Sequence, residues 1–191
     1  MDKKMFVLII TLVIIGILSA LSLAFVYQWT IPQIEEHQRQ AREKALFEVL
    51  PGAVSFSEIK KNDTLFYKGY DQLKQLIGVA CIVSGGGFQG EITIIVGTDP
   101  LQEKILRISI LQHQETPGLG ARITEEDFLD NFAGKPFGSY HSTNREPVDD
   151  YEIEAISGAT VSVNSVIEIV ETAVRAVNQY YGGDFVETNS Q

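Results

Sequence analysis

The sequence has few of the side chains that hold metals or form covalent cross-links. Its 191 residues include one cysteine, Cys81, and three histidines. A single thiol cannot close an internal disulfide, and it cannot alone ligate an iron–sulfur cluster, which usually takes four cysteines. Cys81 lies in the apolar run Gly78–Val83, so we expect it to behave as a small buried hydrophobic residue. Any redox role would need a cofactor that is held by other residues.

Positive charge is also scarce. Lys and Arg number 15 against 25 Asp and Glu, and the formal net charge is −10. Nucleic-acid binding depends on basic side chains that neutralise phosphates, so this balance argues against a nucleic-acid partner. A surplus of acidic residues also keeps a protein soluble, and this is the simplest account of the charge itself.

The three histidines do not suggest a catalytic or metal site. His37, His113 and His141 have no metal-ligand spacing. A hydrolase would enlist Ser157 or Ser162 with His113, but no G-x-S-x-G nucleophile elbow is present. We therefore assign no catalytic residue and no metal ligand.

One long apolar run lies near the N-terminus. Met5–Val26 contains no charged side chain over 22 residues, and a helix of that length spans roughly 33 Å, close to the ~30 Å hydrocarbon core of a bilayer. Tyr27 and Trp29 follow where an aromatic belt would lie. A cleaved or lipidated leader is the main alternative, but no clean cleavage site precedes Tyr27 and no cysteine follows the run. The run predicts an uncleaved transmembrane anchor.

The flanks of the run predict its orientation. Lys3 and Lys4 precede it, and the positive-inside rule keeps such residues in the cytoplasm. We therefore expect a single-pass protein of the cytoplasmic (inner) membrane with its C-terminal domain on the extracytoplasmic side.

The chain can be divided at changes in composition. Ile34, Ala41, Ala45, Leu46 and Leu50 recur at roughly helical spacing, and Pro51-Gly52 follows, so a helix from Pro32 to about Leu50 is predicted. We expect this helix to connect membrane and domain without joining the core. The predicted segments are a cytoplasmic N-terminus at 1–4, the anchor at 5–26, a juxtamembrane helix or linker at 27–52, an extracytoplasmic domain at 53–185 and a tail at 186–191.

The domain itself combines strands in the middle with helices at its ends. This arrangement predicts an α+β fold with a mainly antiparallel sheet flanked by helices. Thr124 is expected to cap the first of the domain's two predicted helices, and Glu91–Val96 is expected to pair with Lys104–Leu111. The predicted strands are Thr64–Lys68, Gly78–Val83, Glu91–Val96, Lys104–Leu111 and Tyr151–Ile156, and the predicted helices are Thr124–Phe132 and Ser162–Tyr181.

Two segments have an unusual composition for mere connectors. Ser-Gly-Ala-Thr at 157–160 stands between a predicted strand and a long amphipathic helix, where free backbone N–H groups can accommodate a phosphate. Taken alone, this segment is better explained as an ordinary helix cap. The second segment, His-x-Glu-Thr-Pro-Gly-Leu-Gly at 113–120, directly follows a predicted strand. Its Pro-Gly and second Gly indicate an unusual turn, although on its own it is equally a tight polar loop.

Together the two segments resemble the FMN-binding domain found in the G subunit of the Rnf electron-transport complex. They are also similar to the C subunit of the sodium-pumping NADH:quinone reductase. The resemblance extends to the N-terminal anchor, to Leu-Pro-Gly-Ala at 50–53 and to the glycine-rich segment Gly85–Gly90 before a strand. It therefore covers most of the chain.

The resemblance implies a covalently bound FMN. In this family the last residue of Ser-Gly-Ala-Thr, here Thr160, is esterified to the FMN phosphate by a flavin transferase, and Ser157, Gly158 and Ala159 belong to the signal that the transferase reads. The family motif usually has Asp three residues before the serine; this sequence has Glu154.

The second segment would lie against the flavin. The resemblance implies polar contacts from Glu115 and Thr116 and an apolar contact from Leu119, and it places Gly120 among the cofactor-binding residues. A fixed negative charge on Glu115 would also lower the flavin's reduction potential.

The implied function is that of an electron relay within a membrane complex. The complex would move electrons between reduced ferredoxin and NAD, coupled to pumping of Na⁺ or H⁺, and this chain would have no turnover of its own. Its partners would be other membrane subunits of the complex and the flavin transferase. The alternatives are a C-type subunit of the quinone reductase and a non-redox, membrane-anchored binding module.

Overall fold

The structure is a computed structural model that describes residues 3–61 and 64–181. The chain separates into two compact units, residues 1–42 and 43–191. The predicted tail at 186–191, the last residues of the predicted domain and the first two residues of the predicted cytoplasmic N-terminus lie outside the described residues.

The first unit is helical. Helix α1, Lys3–Val49, begins in this unit and runs without interruption through Pro32, where the sequence had suggested two separate helices. Within the described part of the chain, α1 is the one helix long and apolar enough to cross a membrane. A helix satisfies its own backbone hydrogen bonds, as a lipid-embedded segment must.

The second unit is built on an antiparallel sheet of five strands in sequence order, as a meander. Apolar pairs such as Ile82 with Ile95 and Ile94 with Ile110 face each other across neighbouring strands. The predicted pairing of the fourth and fifth strands is confirmed. The strands are β1 Ser55–Lys61, β2 Thr64–Tyr70, β3 Leu76–Gly86, β4 Glu91–Asp99 and β5 Lys104–Gln112.

The chain after β5 is mostly short elements followed by one long helix. Helix α2, Glu126–Leu129, is a single turn between two 3₁₀ turns, Gly120–Thr124 and Asp130–Phe132. Strands β6, His141–Thr143, and β7, Glu152–Glu154, form a small parallel pair. Helix α3, Thr160–Tyr181, completes the unit. The α+β class with a mainly antiparallel sheet is confirmed.

Helix α3 covers one face of the five-stranded sheet. Its predicted apolar stripe is buried in a core that includes Phe66, Cys81 and Ile94 of the sheet. Burial raises the pKa of the Cys81 thiol to about 12, because the uncharged form is favoured away from water. The expectation that Cys81 is a small buried residue is confirmed.

The opposite face of the sheet is covered by the last turns of α1. Ala45, Leu46 and Val49 are buried with Tyr67 and Ile95 in a second core cluster. The prediction that this segment stays outside the core was therefore wrong at its C-terminal end. The spacing of the three α1 residues places them on one side of the helix, so that they form the narrow apolar stripe of a packed helix.

Several local predictions also differ from the structure. Strand β3 continues to Gly86, three residues beyond the predicted end at Val83, and β1 was not predicted. Thr124 does not cap α2: its hydroxyl donates to the Ala121 carbonyl, and the N-cap position is Glu125. A serine or threonine in a turn often bonds its own local backbone in this way.

The packing of α1 against the sheet can be tested in a fragment that begins at Glu43. Leu46→Ala should lower its free energy of unfolding by about 2–5 kcal/mol, because the truncation leaves a cavity in a buried cluster. Lys44→Ala, whose side chain is 81% exposed, is the control and should change the free energy by less than about 0.5 kcal/mol. Urea denaturation measures both. A loss from Leu46→Ala as small as the control's would contradict this packing.

Candidate functional site

The two segments singled out in the sequence meet at one cleft. The cleft has a volume of about 320 Å³, at the lower end of the range for ligand pockets, ~300–1,000 Å³. It lies where the loop after β5 and the first turn of α3 come together beside the turn between β3 and β4. Its lining residues are Phe88, Glu115, Thr116, Leu119, Gly120, Gly158, Ala159, Thr160, Val161 and Ser162.

The α3 side of the cleft is shaped by a glycine. Gly158 has a φ of +81°, a conformation that L side chains rarely adopt, and a Cβ there would lie 3.3 Å from Leu119 Cδ2. The carbonyl of Ala159 accepts the first helical hydrogen bond, from Val163 N at 3.0 Å. Thr160 is consequently the first residue of α3, and its side chain is exposed.

The start of α3 suits an anion. The first N–H groups of a helix have no partner within the helix and lie at the positive end of its dipole. The first turn of α3 contains no acidic residue. A phosphate bound beside Thr160 would therefore meet free donors without repulsion from this turn.

The loop after β5 forms the opposite side. The Thr116 carbonyl accepts hydrogen bonds from Leu119 N at 3.2 Å and from Ala121 N at 3.1 Å, and Gly118 has a φ of +77°. This tight turn leaves Leu119 half exposed at the cleft, at 50%. An apolar ring could therefore cover Leu119 and the neighbouring exposed Val161 and remove both from water.

Glu115 is the charged side chain that lines the cleft, and it is buried, at 4% exposure. Its Oε1 accepts from Phe88 N at 2.7 Å and Gln89 N at 3.2 Å, and its Oε2 accepts from Ser162 Oγ at 2.6 Å. Its own N–H donates to His113 Nδ1 at 3.2 Å. The carboxylate therefore joins three segments of the chain.

The structure brings together every predicted cofactor-binding residue except Ser157. Thr160, Gly158, Ala159, Glu115, Thr116, Leu119 and Gly120 all line the cleft. Ser157 is exposed and lines a neighbouring cavity of about 540 Å³ together with Glu154. The transferase signal proposed for residues 157–160 thus faces two adjacent depressions of the surface.

Sequence reasoning missed three cleft residues, Phe88, Val161 and Ser162. Phe88 is 63% exposed at the tip of the turn between β3 and β4, and Ser162 bonds to Glu115. Phe88 could have been suspected from the sequence, because it is the one aromatic residue in the glycine-rich stretch Gly85–Gly90. Ser162 gave no signal, since a serine in the first turn of a helix is ordinary.

The donor set and shape of this cleft fit FMN. The small residues Gly158 and Ala159 keep one wall of the cleft free of bulky side chains, the start of α3 offers N–H donors for a phosphate, and the exposed apolar side chains of Leu119 and Val161 line the cleft. These features define a flavin-nucleotide-binding domain attached to an N-terminal apolar helix. In agreement, residues 87–175 match the family model described as an FMN-binding domain, and residues 1–49 match the RnfG N-terminal region.

The chain belongs to the family of G subunits of ion-translocating (Rnf-type) oxidoreductase complexes. It is 30% identical to the G subunit of the ion-translocating oxidoreductase complex of Methanosarcina acetivorans, over 95% of this chain and 98% of the relative. It is 27% identical to the G subunit of the proton-translocating ferredoxin:NAD⁺ oxidoreductase complex of Clostridium ljungdahlii, over 95% and 96%. Together with the apolar helix, family membership indicates a membrane-anchored protein.

A solved structure shares the fold. The structural match to the crystal structure of Shewanella oneidensis NqrC covers 70% of this chain and 75% of the NqrC chain, with a TM-score of 0.54 and 23% sequence identity. The resemblance to both families that was stated from the sequence is confirmed, and the likeness to NqrC concerns the fold alone.

The tight fit around Glu115 can be tested with two adjacent glycines. A Cβ at Gly87 would overlap Glu115 Oε1 and lie 2.7 Å from Ile92 Cδ1, whereas a Cβ at Gly86 would meet no atom within 4 Å. Gly87→Ala should lower the free energy of unfolding by about 1–3 kcal/mol through overpacking. Gly86→Ala should change it by less than about 1 kcal/mol. Thermal unfolding of the two variants side by side measures the difference, and equal effects would argue against the fit.

Proposed function

We propose that this chain is an electron-transfer subunit of a membrane-bound, ion-translocating ferredoxin:NAD oxidoreductase complex, with FMN attached covalently to Thr160. The attachment is a phosphoester between Thr160 Oγ1 and the FMN phosphate, formed with the net loss of water. The observation that carries the proposal is the meeting of the 113–120 loop and Thr160 at one cleft.

The surroundings of Thr160 suit modification by another protein. Thr160 is exposed, and so are Ser157 and Gly158, so a flavin transferase can reach the hydroxyl and read the neighbouring residues. Ala159 is buried and anchors the segment. Glu154, in place of the usual Asp, is also exposed beside this segment and keeps the acidic group within the transferase's reach.

The residues of the cleft bind and orient the cofactor. FMN supplies the electron-transfer chemistry when bound, and the protein supplies attachment and environment. Leu119 and Val161 provide apolar contact with the ring and Thr116 a polar contact, while the missing side chain of Gly120 leaves room for Glu115 and Ser162 behind the cleft wall. Cys81 lies buried in the core and takes no part in the cleft.

The larger assembly in this proposal is taken from a relative. The Clostridium ljungdahlii relative is named as part of a proton-translocating ferredoxin:NAD⁺ oxidoreductase complex. By analogy, this chain passes electrons between other membrane subunits of such a complex, and ion movement belongs to the assembly. On its own the chain is a relay without turnover.

The domain lies on the extracytoplasmic side of the cytoplasmic membrane. Lys3 and Lys4 precede the apolar run, and short basic flanks stay in the cytoplasm. Covalent attachment fits that location, because a dissociated flavin could not be replaced from the cytoplasmic pool.

The mass of the denatured protein tests the attachment. Wild type purified from its native host should be heavier than its sequence by one FMN less one water, and Thr160→Ala should have the unmodified mass, because the acceptor hydroxyl is gone. Asn164→Ala, an exposed change one turn further along α3, is the matched control and should carry the full addition. An unmodified wild type would instead favour the non-redox binding module, and an addition that persists in Thr160→Ala would move the attachment elsewhere.

Reporter fusions test the orientation. Alkaline phosphatase fused to the C-terminus should be active and green fluorescent protein in the same place should be dark, because the first folds only outside the cytoplasm and the second only inside. Exchanging Lys3 and Lys4 for Glu should reduce phosphatase activity by weakening the positive flank. The opposite reporter pattern in the wild type would reverse the proposed topology.

A further inference from the structure

The carboxylate of Glu115 has little capacity left for a ligand. Oε1 receives two backbone N–H groups and Oε2 receives the Ser162 hydroxyl, and the side chain is 4% exposed. Hydrogen bonds to a charged acceptor are stronger than those between neutral groups. These bonds therefore fix the carboxylate to the protein rather than direct it towards a bound ring.

The turn that donates two of these hydrogen bonds rests closely on the segment that contains Glu115. We call residues 87–90 the β3–β4 turn; it is closed by a 2.7 Å hydrogen bond from Gly87 N to the Gly90 carbonyl. A Cβ at Gly87 would overlap Glu115 Oε1, and a Cβ at Gly90 would lie 2.8 Å from Gln114 Cβ. Side chains are thus excluded at both glycines, and the turn lies flat on residues 114 and 115.

Phe88 is the side chain that this arrangement presents to the cleft. It is 63% exposed although it is large and apolar, and it lines the same cleft as Leu119 and Thr160. Its backbone N–H is the one that bonds to Glu115 Oε1 at 2.7 Å. The position of this aromatic ring therefore depends directly on the carboxylate.

We infer that Glu115 is a positioning residue whose carboxylate holds the β3–β4 turn against α3, so that Phe88 forms an aromatic wall of the flavin site. Aromatic rings favour stacked or edge-to-face contact with other planar π systems, and the isoalloxazine is such a system. The inference deepens the proposed function, on which it rests.

Two substitutions of Glu115 separate positioning from a direct effect of its charge. Gln retains one oxygen that can accept from Phe88 N and Gln89 N, and its amide can donate to Ser162 Oγ. Ala removes both acceptors. If Glu115 acts by position, Gln preserves the site and Ala disrupts it; if it acts through its charge on the flavin, both variants have the same effect.

The first measurement needs no flavin. In the full-length protein, hydrogen exchange of the peptide that contains Phe88 and Gln89 should become at least about tenfold faster in Glu115→Ala, because a charge-assisted hydrogen bond is lost. It should stay near the wild-type rate in Glu115→Gln. Glu91→Ala, an exposed acid at the start of β4, is the matched control. Unchanged exchange in Glu115→Ala would overturn the inference.

The second measurement concerns the ring itself, in protein from a host that attaches FMN. Phe88→Ala and Glu115→Ala should both increase quenching of flavin fluorescence by iodide and weaken the flavin's visible circular dichroism. Phe88→Tyr and Glu115→Gln should retain the wild-type values. Leu101→Ala, which removes an equally exposed apolar side chain from the next hairpin, is the control.

The outcomes distinguish the inference from the proposed function. If all variants carry one FMN by mass but Phe88→Ala leaves both flavin signals unchanged, the aromatic wall is wrong while the proposed function stands. If Glu115→Gln matches Glu115→Ala in both measurements, charge rather than position is responsible, and the inference fails. If the wild type carries no FMN, the proposed function fails together with the role of Phe88, and the exchange rates still decide whether Glu115 holds the turn.

Discussion

The hydrogen bonds of the buried Glu115 carboxylate are the interaction on which the cleft depends. They connect the β3–β4 turn, the loop after β5 and the first turn of α3, which are the three segments that form its walls. Because a buried charge without partners costs several kcal/mol, the carboxylate stabilises the arrangement in which all three donors converge. Any movement of one segment away from the others would leave part of Glu115 unsatisfied.

The three segments can converge on Glu115 because the five-stranded sheet that supports them is covered on both faces. Helix α3 packs on one side of the five-stranded sheet and the last turns of α1 pack on the other. Site residues therefore lie at the ends of firmly packed elements, where a small displacement is resisted by the whole core. The proposed attachment residue, Thr160, therefore lies at the start of a packed helix, α3, instead of in a free loop.

The fold could be predicted where apolar residues follow a clear period, as in α3 and in strands β3 to β5. Strand β1 could not be predicted, because only two of its side chains, Phe56 and Ile59, are even partly buried. Its apolar and polar residues do not alternate. The motif residues were found because their order along the chain resembles a family. Phe88 and Ser162 were missed because they join Glu115 over separations of 27 and 47 residues, which local pattern does not encode.

The proposed covalent bond to Thr160 would change what the cleft has to do. A pocket that retains a dissociable cofactor usually encloses most of its surface, whereas this cleft has a volume of only about 320 Å³ and is bordered by exposed Phe88, Leu119 and Val161. If retention is assigned to the phosphoester, the cleft needs only to orient the ring, and one edge can stay accessible to the subunits that deliver and remove electrons. Those subunits would then complete the apolar surroundings of the flavin, which explains why an exposed apolar border is compatible with a function in a multisubunit complex.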